Sequence, residues 1–413
     1  MNNSRIKKYN YIYCLFFFCA CILSTQKMLM SLTPRQLFAV IMFFVCLRVE
    51  GNKIWCDKLF GFYVVFVICY GISSLLTGYF SEFLLRLIGD YFVAYVGLWS
   101  IRLLISKNND VEWFLYTIIF IGLFDGIVTA LQFLGIPYLD TFLNRLHLVS
   151  YTPYLNIYQG SGEALLSRCV PGIFSHPVLN AHALAATTVI STYIACKKNH
   201  ILGIILTLLM IIFLFCTQQR TAFAIGLLSV LAIVIISARQ SKLRFISIPA
   251  LIIIFTYFGF LFYGFISKGD FRFSEIGMDS GGRDYIYKYC RDFIKANPLG
   301  GINSFVAATG VYPHNLFFNA FIFGGWIGGT VIIGMVFFQL VQCYKSIINK
   351  HVDITEKILA LAVFSLIVNG ITHNQSIVNG EIITWTIWGA FYYTKQSMAN
   401  TRKQQLYLKT SVE

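Results

Sequence analysis

Uninterrupted apolar runs of about twenty residues follow one another along most of this chain, and no other feature limits its fold as sharply. Wound as a helix, such a run matches the roughly 30 Å of hydrocarbon in a bilayer. Segments 11–30, 34–49, 59–79, 86–105, 113–136, 177–195, 201–217, 221–237, 245–266, 315–342, 358–373 and 381–394 meet the requirement. The runs are continuous rather than alternating, which selects helices over barrel strands. Of 413 residues, 57% are hydrophobic and 12% charged, whereas soluble domains carry about 25% charged residues. No soluble core of this size would hide so much apolar surface. The expected fold is an all-α polytopic membrane protein, a single domain over residues 1–413 with about twelve transmembrane helices.

The first run follows Arg5, Lys7 and Lys8 and could be taken for a leader, but no small-residue cleavage site follows it and further spans come at once. It reads as a retained first helix. Placing the N-terminus inside puts 20 of the 32 Lys and Arg residues in inner segments, with at least two in every inner loop. That is the bias cytoplasmic loops carry, so both termini are expected on the cytoplasmic side. The net charge of +14 is scattered through short loops rather than gathered on one soluble face, which argues against nucleic acid as a partner. Eleven cysteines lie mostly in apolar runs, without a CxxC pair, so no structural zinc site is expected. Cys169 and Cys290 alone fall in long outer loops, where a disulfide or two free thiols would fit.

Two outer segments, 137–176 and 267–314, are too long to be simple connectors and are expected to form a cap. In the first, Leu139, Phe142, Leu143 and Leu146 share one helical face, as in a helix lying in the interface. In the second, Ser280 is placed to cap a helix ending near Pro298. That helix carries an apolar stripe of Ile286, Cys290 and Phe293 and a basic stripe of Lys288, Arg291 and Lys295.

Cations on the outer side run against the charge bias and mark where chemistry could occur. Arg220 sits in a polar break, Thr217-Gln-Gln-Arg-Thr221, where it either snorkels or meets an anion. Arg283 opens the loop helix, and helix N-termini favour phosphate; a solvated arginine is the plain alternative. Arg168 precedes Cys-Val-Pro-Gly172, whose proline and glycine suggest a re-entrant or tightly packed turn. His314, in Tyr312-Pro-His-Asn315, has a side chain suited to proton transfer near neutral pH, though a lone interfacial histidine is usually structural. Asp125 is a costly acid within a span. Arg86 and Asp90, four residues apart, could pair with each other. His147, His182 and His373 lack ligand spacing and read as packing. The sequence contains no GxxxxGK[ST] loop, DxD pair, GxSxG or HExxH. Several arginines and one histidine on the outer face would suit an anionic, lipid-linked substrate without metal or cofactor.

Thr217-Gln-Gln-Arg220-Thr-Ala, Gly282-Arg283-Asp-Tyr-Ile-Tyr, Asn297-Pro-Leu-Gly300-Gly, and His314-Asn315 followed by Gly325-Trp-Ile-Gly328 occur in an order that resembles the bacterial O-antigen polymerase and O-antigen ligase family. The ligase pattern His-[Asn/Ser/Gln]-x9-Gly-x2-[Gly/Thr/Tyr] is met by His314, Asn315, Gly325 and Gly328. The resemblance spans residues 168–330. It departs from some polymerases in placing sixteen, not fifteen, residues between Arg283 and Gly300.

The resemblance implies a metal-independent, inverting glycosyltransferase of the bacterial inner membrane, acting on undecaprenyl-pyrophosphate-linked oligosaccharide at the periplasmic face. Arg220 and Arg283 would hold the donor pyrophosphate with help from Arg168, and His314 would orient or deprotonate the acceptor hydroxyl. Asn315 and Arg291 complete the expected substrate-binding set. A polymerase transfers the chain to a new lipid-linked repeat unit, alongside membrane lipids, a flippase and a chain-length regulator; a ligase transfers it to lipid A core. A flippase for lipid-linked sugars is the rival reading, but it predicts inverted repeats, and none is found. A purely structural membrane protein would leave Arg220, Arg283 and His314 far apart.

Overall fold

The computed structural model describes residues 3–23, 32–50, 57–107, 110–134, 136, 139, 142, 170–174, 176–238, 283–372 and 377–410. Described residues form a helical bundle with no sheet. In chain order its helices are α1 (Asn3–Ile22), α2 (Pro34–Glu50), α3 (Lys58–Leu76), α4 (Phe80–Arg86), α5 (Phe92–Arg102), α6 (Val111–Phe133), α7 (Pro177–Lys197), α8 (His200–Cys216) and α9 (Arg220–Ala238). There follow α10 (Arg283–Ala296), α11 (Ile302–Thr309), α12 (Leu316–Ile348), α13 (Ile354–Thr372) and α14 (Ile382–Thr410). A π-helical turn, Leu87–Tyr91, joins α4 to α5.

The helix starts follow from local chemistry. Thr33 and Gln36 form a reciprocal capping box ahead of α2, with Gln36 N–H donating to Thr33 Oγ1 at 3.3 Å and Thr33 N–H to Gln36 Oε1 at 2.8 Å. Asp57 caps α3, accepting from Leu59 N–H at 2.9 Å, and Asn199 caps α8, accepting from Leu202 N–H at 3.0 Å. Short turns then reverse the chain: 77–79 after α3, 198–199 after α7, 217–219 after α8 and 349–353 after α12. One end of the bundle, here the upper end, therefore holds the starts of α2, α4, α7, α9, α12 and α14 and the ends of α3, α6, α8 and α13.

The α4–α5 unit and α3, α6, α7, α9, α12 and α13 are long and apolar enough to cross a membrane; Asn10–Ile22 and His200–Cys216 are shorter apolar helices. The bundle is apolar outside as well as inside. Around α8, Ile201, Leu202, Ile204, Ile205 and Ile212 are exposed, and α12 exposes Ile327 and Phe337. A soluble surface does not tolerate a belt of this size. Seven of the expected spans fall on these long helices, 11–30 and 201–217 overlap the two shorter ones, 34–49 and 381–394 fall on helices outside both sets, and 245–266 lies outside the described residues.

One expected span differs. The run 315–342 reads as a single helix, yet α12 is broken at Gly325, whose φ of 64° and ψ of −166° are open only to glycine. The turn after α10 fills the break: Trp326 N–H donates to Pro298 O at 2.8 Å, and Gly301 N–H to Ile322 O at 2.8 Å. A Cβ on Gly325 would lie 2.6 Å from the Leu299 carbonyl carbon, and one on Gly300 (φ 86°) would lie 2.8 Å from Gly325 N. The two glycines thus interlock backbone against backbone. Trp326 Nε1 adds a bond to Ile294 O at 3.1 Å, fixing α10 and α11 beside the upper half of α12. Along α10, Cys290 is buried and Ile286 and Phe293 are half-buried, while Lys288, Arg291 and Lys295 are exposed, as the stripes predict. Cys290 is a free thiol, and Cys169 lies outside the described residues.

Candidate functional site at the upper end

The loop Tyr312-Pro-His-Asn315 is held from three sides. Asn315 caps α12, its Oδ1 accepting from Phe317 N–H at 2.9 Å and Phe318 N–H at 3.3 Å, while its Nδ2 donates to Ile371 O of α13 at 2.9 Å. Asn319 Nδ2 donates to Pro313 O at 2.9 Å. Tyr287 of α10 donates its hydroxyl to His314 O at 3.0 Å. The half-buried His314 is therefore presented on a fixed backbone at the meeting of α10, α12 and α13. Asn315 spends both ends of its amide on that architecture.

His176, at the head of α7, comes close enough to His314 for the two rings to sense each other's charge. Its Nδ1 accepts from Val178 N–H at 3.1 Å and so caps the helix; that leaves the proton of the neutral ring on Nε2. Burial first, and the neighbouring His314 second, push its pKa down to about 4. His176 is thus a neutral imidazole at physiological pH.

Beside this loop lies a group of charges brought together from three parts of the chain. Arg86 Nη2 donates to the Tyr312 hydroxyl at 2.6 Å. Its guanidinium lies over the rings of Tyr312 and Phe323, 5.6 and 5.4 Å from their centroids. Gly380 packs against Asp90, since a Cβ there would lie 3.1 Å from Asp90 Cβ; Glu381 follows it. Gly89 faces Gln36, which brings in Arg35. Arg35 acts electrostatically on both Asp90 and Glu381. Arg86 and Asp90 do not form the ion pair that an i,i+4 spacing suggests. The π-helical turn at Leu87–Tyr91 begins between them, so they no longer stack as on an α-helix.

A third feature sits lower, between α6 and α7. The turn 170–173 is buried, as Pro171 and Gly172 suggested. Gln132 brackets Gly172, accepting from its N–H at 2.8 Å and donating to its carbonyl at 3.1 Å. Asp125, 1% exposed, accepts from Ile173 N–H at 3.0 Å. Asn180 Nδ2 donates to Thr129 Oγ1 and Val170 O, each at 3.0 Å. Gly172 has φ 61°, and a Cβ there would collide with Asp125 Oδ1 and lie 2.7 Å from Thr129 Oγ1. The intramembrane acid therefore anchors the backbone that follows Arg168.

Of the other expected residues, Arg220 is exposed at the first position of α9, beyond a turn with buried Thr217, Gln218 and Gln219. Gln218 takes φ 57° there. Arg283 is the first residue of α10, and Arg291 is exposed on the same helix. Arg168, His147 and His373 lie outside the described residues, as do Ser280 and most of 138–149; the Arg283 side chain is likewise outside the description. His182 is buried, 1% exposed. Arg35, Glu381 and the helix-capping role of His176 are absent from the sequence expectations.

A cavity of about 430 Å³ lies at the opposite end, lined by Glu112, Tyr193, Lys197, Lys198 and Asp353 among others. Its charges pair with one another, Lys197 with Asp353 at 2.6 Å and Lys198 with Glu112 at 2.8 Å, so it offers a ligand little unspent polarity. Among the described residues, no three His, Cys, Asp or Glu side chains gather as a metal site. Neither a family model nor a curated protein matches this chain.

Proposed function

We propose that this chain is a polysaccharide polymerase of the bacterial inner membrane, with about twelve spans, both termini in the cytoplasm, and the upper end facing the periplasm beneath a cap of its two long loops. The placement of His314 carries the reading. A half-buried imidazole is held on a fixed loop at one end of an apolar bundle; the same loop bonds Arg86 through Tyr312, and α10 bonds it through Tyr287. The substrate is a glycan on undecaprenyl pyrophosphate, and the acceptor is a new lipid-linked repeat unit. Arg220 and Arg283, with Arg168, bind the pyrophosphate and offset the charge that builds on it as the bond breaks. His314 orients or deprotonates the acceptor hydroxyl. That oxygen attacks the donor anomeric carbon, the bond to pyrophosphate oxygen breaks with inversion, and the proton leaves by way of His314.

The test is a gel of lipopolysaccharide from a deletion strain complemented with wild-type or His314→Ala protein. Core plus a single repeat unit in the deletion identifies a polymerase, while bare core identifies a ligase. H314A is expected to insert at normal levels and to fail to restore long chains. Near-normal chains from H314A would remove His314 from the mechanism.

A further inference from the structure

The charged group at the upper end contains two unmet demands of opposite kind. Glu381 is 8% exposed; its Oε2 accepts from Thr384 Oγ1–H at 3.0 Å, and its Oε1 has no partner. Arg35 Nε is buried and has no acceptor. Among the described residues no ion pair joins any two of Arg35, Arg86, Asp90 and Glu381, although Gly380 seats Glu381 beside Asp90 and Gly89 seats Gln36, next to Arg35, beside the same turn. A buried acceptor and a buried donor left unpaired each destabilise the fold. An anion would answer Arg35 but would donate nothing to Glu381 Oε1. A cation would answer Glu381 alone and repel Arg35 and Arg86. A hydroxyl group both donates and accepts, so one class of ligand meets both demands.

The surroundings suit a ring. Tyr70, Tyr91 and Phe323 are fully buried and pack as a floor beneath the group, with Tyr70 and Phe323 centroids 5.0 Å apart and Tyr70 and Tyr91 centroids 5.8 Å apart, while the Tyr312 ring is partly exposed beside it. Arg86, Asp90, Arg35 and Tyr312 are half-buried, so the group reaches the surface at its edge rather than being sealed. Its backbone carries a π-helical turn, an irregularity that recurs at functional sites. The bond from Arg86 to Tyr312 ties it to the loop bearing His314.

We propose that Glu381, Asp90 and Arg35 form a polyol subsite that binds the hydroxyl groups of a sugar ring of the acceptor glycan, next to His314 and separate from the pyrophosphate arginines. This rests on the glycan-transfer reading of the same end. Glu381 Oε1 accepts from a ring hydroxyl, Arg35 Nε–H donates to a neighbouring hydroxyl oxygen, and Asp90 takes a second ring hydroxyl. The role is binding and orientation, with the proton transfer left to His314.

The test uses full-length protein in lipid nanodiscs and two probes, measured by calorimetry. One is repeat-unit oligosaccharide released by mild acid from membranes of cells carrying the protein; the other is inorganic pyrophosphate. Glu381→Gln replaces a carboxyl oxygen by an amide nitrogen at nearly constant volume, and Arg35→Lys keeps the charge while losing the Nε donor. Both are first checked for monodisperse elution and an unshifted melting temperature; R35K, at the less buried position, decides if E381Q does not fold. The expected result is oligosaccharide binding weakened at least tenfold in both variants, with pyrophosphate binding unchanged. Equal oligosaccharide affinity in wild type and R35K overturns the subsite. Pyrophosphate binding with no oligosaccharide binding in wild type also overturns it, while leaving the donor reading intact. Oligosaccharide binding that depends on Arg35 but no pyrophosphate binding supports the subsite and counts against the donor reading. Binding of neither probe overturns both.

Discussion

Replacing Gly325 by alanine tests whether the break in α12 is built as described. Its φ of 64° and ψ of −166° fall in a region essentially closed to other residues, where strain costs roughly 1–3 kcal/mol. The added carbon would lie 2.6 Å from the Leu299 carbonyl carbon and 2.7 Å from Pro298 O. The turn must withdraw, which breaks the bonds from Trp326 N–H to Pro298 O and from Gly301 N–H to Ile322 O. Each pair left buried adds about 1–3 kcal/mol, so even with partial relaxation the total is on the order of 4 kcal/mol. Gly334 lies on the same helix with nothing within 4 Å of an added Cβ, and alanine there should gain about 0.5–1 kcal/mol through helix propensity. Detergent-solubilised G325A and G334A would be compared with wild type by thermal unfolding. G325A should unfold at clearly lower temperature and expose the segment after α10 to protease, and G334A should not. Equal melting temperatures for G325A and wild type would refute the interlock.

Gly172→Ala is expected to lower the yield of folded protein, because the φ of 61° and the Asp125 carboxylate leave no room for a Cβ; Gly61→Ala, in open space on α3, is the control, and equal yields would contradict the buried turn. Between pH 6.5 and about 4 the native His176 binds fewer protons than the unfolded chain. Its contribution is therefore fully present above pH 6.5 and is lost as pH falls toward 4. Melting temperature should drop over that window in wild type and drop less in His176→Asn, which keeps a capping oxygen without titrating; parallel curves would show that His176 is not the cause. Tyr312→Phe leaves Arg86 Nη2 without its 2.6 Å acceptor, and hydrogen bonds to charged groups are worth about 1.5–3 kcal/mol. A Y312F protein with unaltered stability would show that water replaces the hydroxyl.

Helices were legible in the sequence because lipid imposes length and hydropathy on each one separately, and those are local properties. Their starts were legible for the same reason, as at Pro177 after His176 and at Leu316 after Asn315. Interruptions were less so. Gly325 stands in an apolar run indistinguishable from continuous helix, and only the turn that fills its break, twenty-five positions earlier, explains it. Arg86 and Asp90 were read with α-helical spacing, which a single π-helical turn removes. The charged group was hardest to see. Arg35 and Glu381 stand near opposite ends of the chain, and each alone looks like an ordinary membrane-border residue. By contrast, Tyr312-Pro-His-Asn315 is one short segment, so His314 could be singled out before its surroundings were known. The glycines of the resembling motif turn out to serve packing: Gly300 and Gly325 interlock, and Gly328 sits against Cys69 of α3.

The hold of Gln132 on Gly172 has a consequence for how such a chain can change over time. Gln132 stands at the end of α6 and Gly172 in the buried turn forty positions later, and a single amide side chain clasps one to the other. The stretch between them is thus an insert whose ends are already fastened, and doubling its length would cost only about 0.6 kcal/mol in closure entropy. It can be lengthened, shortened or exchanged wholesale while α6, α7 and the His314 loop keep their places. Selection acting on this insert alone leaves the framework that fastens its ends undisturbed.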